Sequence, residues 1–116
     1  MLPPRQTKKP KRDTRWRSQA HLSFVRSFQC AMPGCTEQPI EAAHVRLGSG
    51  AGMGQKPDDH RVTPLCKHHH SSQHVQGEAT FWRAYEVLSG QTVDDLLDAL
   101  CKESPKARDI RMARNG

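Results

Sequence analysis

The chain of 116 residues is long enough for one small domain, but it is poor in the residues that build a self-sufficient core. Only 34% of its residues are hydrophobic, and it has two Trp, one Tyr and three Phe. No apolar run approaches the ~20 residues of a membrane span, and the first thirteen residues contain no stretch that could act as a secretory signal. We therefore predict a cytoplasmic protein without a membrane partner, stabilised by a bound metal.

The net charge of +6 is concentrated at the two ends of the chain. Residues 1–17 contain seven basic residues and one acidic residue, residues 102–116 contain five and two, and the part between them is net negative. Basic arms contact phosphates without reading sequence, although a charge run alone is equally typical of a solvated tail. We predict a flexible basic arm over 1–20, a folded domain over 21–101 and a basic tail over 102–116.

Turn residues divide the middle of the chain into short elements. Residues 40–45 have the composition of a short strand, residues 46–59 are a glycine-rich loop, and residues 61–63 could form the returning strand. The Thr-Pro pair at 63–64 is typical of an N-cap followed by a first helical residue. It predicts a helix over about 64–75 that ends before a glycine, and hence an α+β fold.

Two amphipathic helices are predicted after this first helix. The segment 78–89 has Phe81, Tyr85 and Leu88 on one face. The segment 92–102 also has one apolar face, formed by Val93, Leu96, Leu97, Leu100 and Cys101. Thr92 and Asp95 resemble a capping box at its start, and Cys101 is interpreted as an ordinary core residue.

Three cysteines and a histidine have the spacing of a structural zinc site. Cys30 and Cys35 flank a Met-Pro-Gly turn, and Cys66 stands three residues before His69. Two short chelating pairs from distant parts of the chain suit the tetrahedral coordination of zinc. The predicted ligands are Cys30, Cys35, Cys66 and His69, with His68 as the alternative to His69.

Three further histidines predict a catalytic centre. His70 and His74 are four residues apart, so a helix would present both imidazoles to one cation, and His44 lies on the strand predicted to face that helix. Phosphodiester hydrolysis needs a base to activate water and a cation at the leaving oxygen. We assign His44 as the base and His70 and His74 as ligands of the ion. Asp59 either completes the shell of the ion or anchors the loop.

The motifs C-x4-C, AHVR, GMGQKPDD and PLCKHHHSSQH occur together over roughly residues 29–82. In this combination the chain resembles the phage and prophage HNH nucleases of the YbcO and Ref type. The resemblance implies a ββα-metal fold with structural zinc, a catalytic Mg²⁺ or Mn²⁺, and DNA endonuclease activity in phage recombination or DNA processing. It also implies a bacterial or phage-infected host cell, a recombination protein as a partner, and no small-molecule cofactor.

The resemblance assigns residue roles and reveals two departures. The histidine of AHVR, His44, corresponds to the general base, and the histidines after Cys66 divide between the structural zinc and the catalytic ion. Many HNH nucleases have a metal ligand directly before the base, where this chain has Ala43. Arg61 replaces the usual asparagine five residues before the cysteine. The shell of the ion must then be filled differently, and Asp59 is the predicted substitute.

Four basic residues are predicted to contact nucleic acid. Arg46 and Lys56 flank the glycine-rich loop, and Arg12 and Arg15 belong to the arm. A rival hypothesis is a zinc-finger module that binds nucleic acid without cutting it. That module would explain the cysteines and the basic ends, but not His44, His70 and His74 together.

Overall fold

The computed structural model describes residues 1–4, 15–50 and 56–115. The helices and strands, in chain order, are α1 (Gln19–Arg26), β1 (Ile40–His44), β2 (Val62–Cys66), α2 (Lys67–Gln76), α3 (Glu78–Ser89), α4 (Val93–Glu103) and α5 (Ala107–Asn115). The fold is therefore a small mixed α+β domain. None of the helices within these described ranges is long and apolar enough to cross a membrane.

The two strands form an antiparallel sheet that supports the helices. Ile40 is paired with Cys66 at one end of the ladder, and His44 with Val62 at the other. Every residue of β2 is buried, because α1, α2 and α4 all pack against this strand. Helix α2 follows β2 without a loop, so the end of the strand fixes the start of the helix.

The core joins the sheet to α3, α4 and the loop that carries the first two cysteines. It is formed by Cys30, Ile40, Ala43, Val45, Leu65, Cys66, Phe81, Trp82, Tyr85, Val93 and Leu97. Three aromatic rings of α3 pack edge to face, with centroids 4.9 Å apart for Phe81 and Trp82 and 5.3 Å apart for Trp82 and Tyr85. The Trp82 indole N–H donates to the buried Gln73 side chain (2.9 Å), which ties α3 to α2.

The predicted start of the first long helix is wrong. Pro64 lies in β2, opposite Ala42, and α2 begins three residues later at Lys67 with Cys66 as its N-cap. Proline has no N–H for a sheet, but in the described part of the chain β2 pairs with β1 alone, so its outer edge tolerates the residue. The Pro64 carbonyl accepts from the Ala31 backbone N–H (2.8 Å) on the cysteine loop.

The sharp junction between α2 and α3 depends on Gly77. This residue ends α2 and caps α3 with φ of 88°, a value that side chains with a Cβ rarely adopt. The predicted end of α2 and both ends of α3 are confirmed. On α3, however, Leu88 is 63% exposed and Trp82 is buried, so the predicted apolar face is wrong at Leu88.

The C-terminal part of the chain is helical, contrary to the predicted basic tail. The Thr92 and Asp95 capping box of α4 is confirmed, and Cys101 is buried in that helix as predicted. After α4, the helix α5 buries Ile110. This apolar residue accounts for the folding of a segment that its charge alone did not predict.

The predicted arm of residues 1–20 ends earlier than expected. Helix α1 begins at Gln19, with the Ser18 side chain as its N-cap acceptor. The three residues Trp16–Ser18, here called the strap, are already packed against residues 56–59. Half of the arm, residues 5–14 including Arg12, lies outside the described residues.

Candidate metal and histidine site

The predicted zinc ligands are brought together by three elements. Cys30 and Cys35 belong to the loop between α1 and β1, Cys66 is the last residue of β2, and His69 lies in the first turn of α2. One potential ligand atom from each residue lies within 4.8 Å of the others. His68, the alternative ligand, is outside this cluster. The four residues could therefore hold a metal such as zinc.

The distances within the cluster fit tetrahedral coordination. The Sγ atoms of Cys35 and Cys66 are 3.9 Å apart, and His69 Nδ1 lies 3.4 Å from the Cys30 sulfur and 3.3 Å from the Cys66 sulfur. Ligands of a tetrahedral zinc lie about 3.8 Å apart for two sulfurs and about 3.6 Å apart for sulfur and nitrogen. The donor set of three sulfurs and one imidazole is typical of structural zinc.

The thiols of the cluster differ in acidity. Burial raises the pKa of the Cys30 thiol to about 11. Burial alone would also raise the pKa of the Cys66 thiol, but donation from the His69 backbone N–H and the neighbouring thiols lowers it overall. A coordinated cation deprotonates such thiols outright, because the thiolate is the form that binds metal.

The second group of predicted residues faces one cavity, here called the histidine cavity, with a volume of about 810 Å³. Its lining consists of Leu22, Arg26, Ala42, His44, Arg46, Lys56, Pro57, His70, His74 and Glu78. The structure thus brings together the three predicted catalytic histidines and the two predicted loop cations, Arg46 and Lys56. The rings of His70 and His74 have centroids 5.1 Å apart on adjacent turns of α2.

His44 is hydrogen-bonded to the buried carboxylate of Asp59. The His44 Nε2–H group donates to Asp59 Oδ1 over 2.9 Å, and Asp59 is 4% exposed. Burial lowers the pKa of His44, and the nearby Asp59 only partly opposes this effect. An imidazole that is neutral near pH 7 can accept a proton.

Asp59 does not belong to the cavity lining. Besides His44, it contacts the Ser18 backbone N–H through Oδ2 (2.9 Å) and the Arg17 guanidinium through Oδ1 (3.5 Å). Of the two roles predicted for Asp59, anchoring is therefore the one that its contacts support.

Two site residues were not predicted from the sequence. Glu41 Oε1 accepts from His70 Nδ1–H over 2.9 Å, which leaves the Nε2 atom of His70 as the ring nitrogen available for a cation. Arg26 extends from α1 into the cavity lining. Neither residue belongs to a motif, because each reaches the site through a contact between distant elements.

Glu78 fixes the chain where the glycine-rich loop leaves β1. Its Oε1 atom accepts from the backbone N–H groups of Arg46 (2.8 Å) and Leu47 (3.1 Å). Arg61 holds the same segment by donating to the carbonyls of Val45 (3.2 Å) and Leu47 (2.6 Å). Where the resembling nucleases have an asparagine, this chain therefore has a residue that braces the loop.

Of the two cations predicted on the arm, the structure describes Arg15. Arg15 comes directly before the strap and is absent from the cavity lining among the described residues. Arg12 lies outside the described part of the chain. Their predicted contacts with nucleic acid stay predictions.

Comparison with known proteins finds a relative and a family whose names state no activity. Over 69 residues the chain is 38% identical to Uncharacterized protein YdfU of Escherichia coli (strain K12), and the alignment covers 59% of this chain and 19% of that protein. The chain thus spans about a fifth of the length of this curated relative. No solved structure matches the chain. The model of the family described as "Protein of unknown function (DUF968)" matches residues 3–101, so the chain belongs to this family.

Proposed function

We propose that the protein is a divalent-metal-dependent DNA endonuclease with a ββα-metal (HNH) core and a structural zinc. The observation that carries this proposal is the convergence of His44, His70 and His74 on one cavity that also has basic residues in its lining. The chain order strand, strand, helix supports the ββα-metal assignment. DNA as the substrate and a recombination protein as a partner rest on the sequence resemblance.

His44 is the proposed general base. Its Nε2–H group is engaged by Asp59, so the other ring nitrogen, Nδ1, is left to accept a proton from the attacking water. Because burial lowers its pKa, the imidazole is unprotonated at neutral pH and ready for this step. Water then attacks phosphorus in line with the 3′ oxygen, and a 5′ phosphate is left.

His70 and His74 are the proposed ligands of the catalytic ion. Among the described residues, only the cysteine cluster brings three or more potential ligand atoms within 4.8 Å, so an ion held by these two histidines would need further ligands from outside the protein. An open site suits catalysis, because water and phosphate oxygens can complete the shell. A bound Mg²⁺ or Mn²⁺ would stabilise the charge on the leaving oxygen. Two imidazoles favour Mn²⁺ over Mg²⁺, which prefers oxygen ligands.

The cations of the cavity are the proposed contacts for the phosphate backbone. Arg26 comes from α1, Arg46 and Lys56 come from the loop between β1 and β2, and all three line the cavity together with the histidines. Guanidinium groups can hold two phosphate oxygens at once and neutralise charge in the transition state. The described lining contains no Phe, Tyr or Trp on which a base could stack, so we expect cleavage with little sequence preference.

Metal dependence tests the proposal. Purified full-length protein is incubated with supercoiled plasmid and with single-stranded circular DNA in Mn²⁺, in Mg²⁺ or in EDTA. We expect nicking in Mn²⁺ that EDTA abolishes. His74→Ala, which removes one proposed ligand of the ion, should lose nicking to a similar extent. Salt-sensitive DNA binding without cutting in either ion would instead support the rival binding module. Ala43 favours this rival, because it stands where many HNH nucleases have a metal ligand.

A further inference from the structure

The strap in front of α1 holds the loop that carries Asp59. The Trp16 backbone N–H donates to Asp58 Oδ1 (2.6 Å), and the Trp16 carbonyl accepts from the Asp59 N–H (2.8 Å). The Ser18 backbone N–H donates to Asp59 Oδ2 (2.9 Å). These three hydrogen bonds span more than 40 residues of sequence, and two of them fix the backbone and the carboxylate of the same residue, Asp59.

Arg17 adds a side-chain clamp to these backbone contacts. Its guanidinium donates to the carbonyls of Pro57 (2.6 Å) and Lys56 (3.2 Å), and it lies 3.5 Å from Asp59 Oδ1. Pro57 and Lys56 themselves line the histidine cavity. The clamp therefore connects the strap to the wall of the cavity as well as to Asp59.

The Trp16 ring anchors the strap at its other end. Its centroid lies 5.9 Å from the His21 ring on α1 and 6.0 Å from the His60 ring just before β2. His21 is fully buried and hydrogen-bonded to Ser104 Oγ over 2.8 Å. The anchor thus rests on parts of the fold that are fixed independently of the cavity.

We propose that the strap is a positioning element of the histidine cavity, which holds Asp59 so that Asp59 fixes the orientation and tautomer of His44. The two carboxylate oxygens of Asp59 divide the work, with Oδ2 held by Ser18 and Oδ1 directed at His44 Nε2. A buried carboxylate engaged on both oxygens cannot rotate away from the imidazole without losing a hydrogen bond. The role of His44 as a base rests on the proposed function, but its tautomer does not.

The tautomer decides whether the ring nitrogen that is not bound to Asp59 carries a lone pair or a proton. With Nε2–H donated to Asp59, Nδ1 carries the lone pair. A His44 ring released from Asp59 would populate both tautomers and present an N–H group to the cavity for part of the time. The strap should therefore change the rate of the proton transfer step more than it changes substrate affinity.

The test uses nitrogen NMR on the full-length, zinc-loaded chain without a catalytic ion. Long-range ¹⁵N–¹H correlation spectra at pH 7.5 are compared for the wild type, Arg17→Met and Trp16→Ala. The matched control is Arg108→Met, which removes the same charge from an exposed position on α5. We expect one tautomer, protonated at Nε2, in the wild type and the control, and both His44 nitrogen shifts to move toward the average of the two tautomers in the strap variants.

Cleavage kinetics provide the second measurement. In the strap variants kcat should fall roughly tenfold or more, part of the 10²–10⁴-fold that a general base contributes, with a smaller change in KM. Arg17→Lys, which keeps a cationic donor, should recover part of the loss. An unchanged His44 tautomer in both strap variants would overturn the proposal. A changed tautomer in a chain that cuts no DNA would uphold the strap and reject the nuclease.

Discussion

Among single residues, His44 matters most, because the proposed cleavage requires its imidazole to be unprotonated. Asp59 and burial act on its pKa in opposite directions, and burial prevails, so the pKa lies below the ordinary 6.5. The protonated form cannot act as a base. We expect the rate of DNA nicking to reach a plateau at neutral pH and, where Mn²⁺ saturates its site, to fall with a slope of one below the lowered pKa.

The pH profile is measured as kcat/KM at constant Mn²⁺ between pH 5 and 8. Asp59→Asn is the informative companion, because it keeps the size of the side chain but cannot serve as a charged acceptor for Nε2–H. It should lower the plateau by at least tenfold, in keeping with the contribution of general-base catalysis. A rate that rises as the pH falls through 6.5 would exclude His44 as the base.

At the scale of elements, the cysteine cluster joins the loop after α1 to the junction of β2 and α2. We expect one zinc per chain in the wild type and a loss of zinc in Cys35→Ala, since three ligands no longer close the tetrahedron. Even ~2–3 kcal/mol of lost stability would lower the melting temperature by on the order of 10 °C in a domain of this size. Zinc content and thermal unfolding are the measurements.

Cys101→Ala is the matched control for the zinc prediction. Cys101 is buried on α4, outside the cluster, and its thiol donates to the His60 carbonyl (3.4 Å). This variant should keep its zinc, whatever it loses in packing. Equal zinc content in Cys35→Ala and the wild type would contradict the assignment of the ligands.

Local patterns predicted the site better than they predicted its supports. The four zinc ligands and the pair His70 and His74 follow from short spacings that a turn or a helix converts directly into geometry. By contrast, Glu41, Arg26 and the strap contacts form between elements far apart in sequence, so no local pattern reveals them. Pro64 shows the same limit. The Thr-Pro pair is typical of a helix start, but Pro64 lies in β2 because the edge of the sheet tolerates a proline there.

Over the whole molecule, the positive charges that line the cavity do not come from the two basic ends of the sequence. They come from α1 and from the loop between the strands, and the basic C-terminal end forms α5. We expect salt-dependent binding to duplex DNA in which Arg26→Met reduces the salt slope by about one. Fluorescence anisotropy between 50 and 200 mM salt would measure it.

Arg83→Met is the control for the salt slope. Arg83 is an exposed basic residue of α3 that is absent from the described lining of the cavity, and its substitution removes the same charge. Its slope should equal that of the wild type if phosphate contacts are local to the cavity. Equal reductions in both variants would show that only net charge matters.

Plasmid nicking by His44→Ala beside His68→Ala tests directly whether His44 is the general base of a nuclease. His44 is the last residue of β1 and lines the cavity, whereas His68 lies in the first turn of α2, where it is exposed and outside the zinc cluster. We predict that His44→Ala loses nicking by 10²-fold or more, a loss typical of a missing general base, while it keeps its zinc and its DNA affinity. His68→Ala should nick like the wild type. Full Mn²⁺-dependent nicking by His44→Ala would contradict the account.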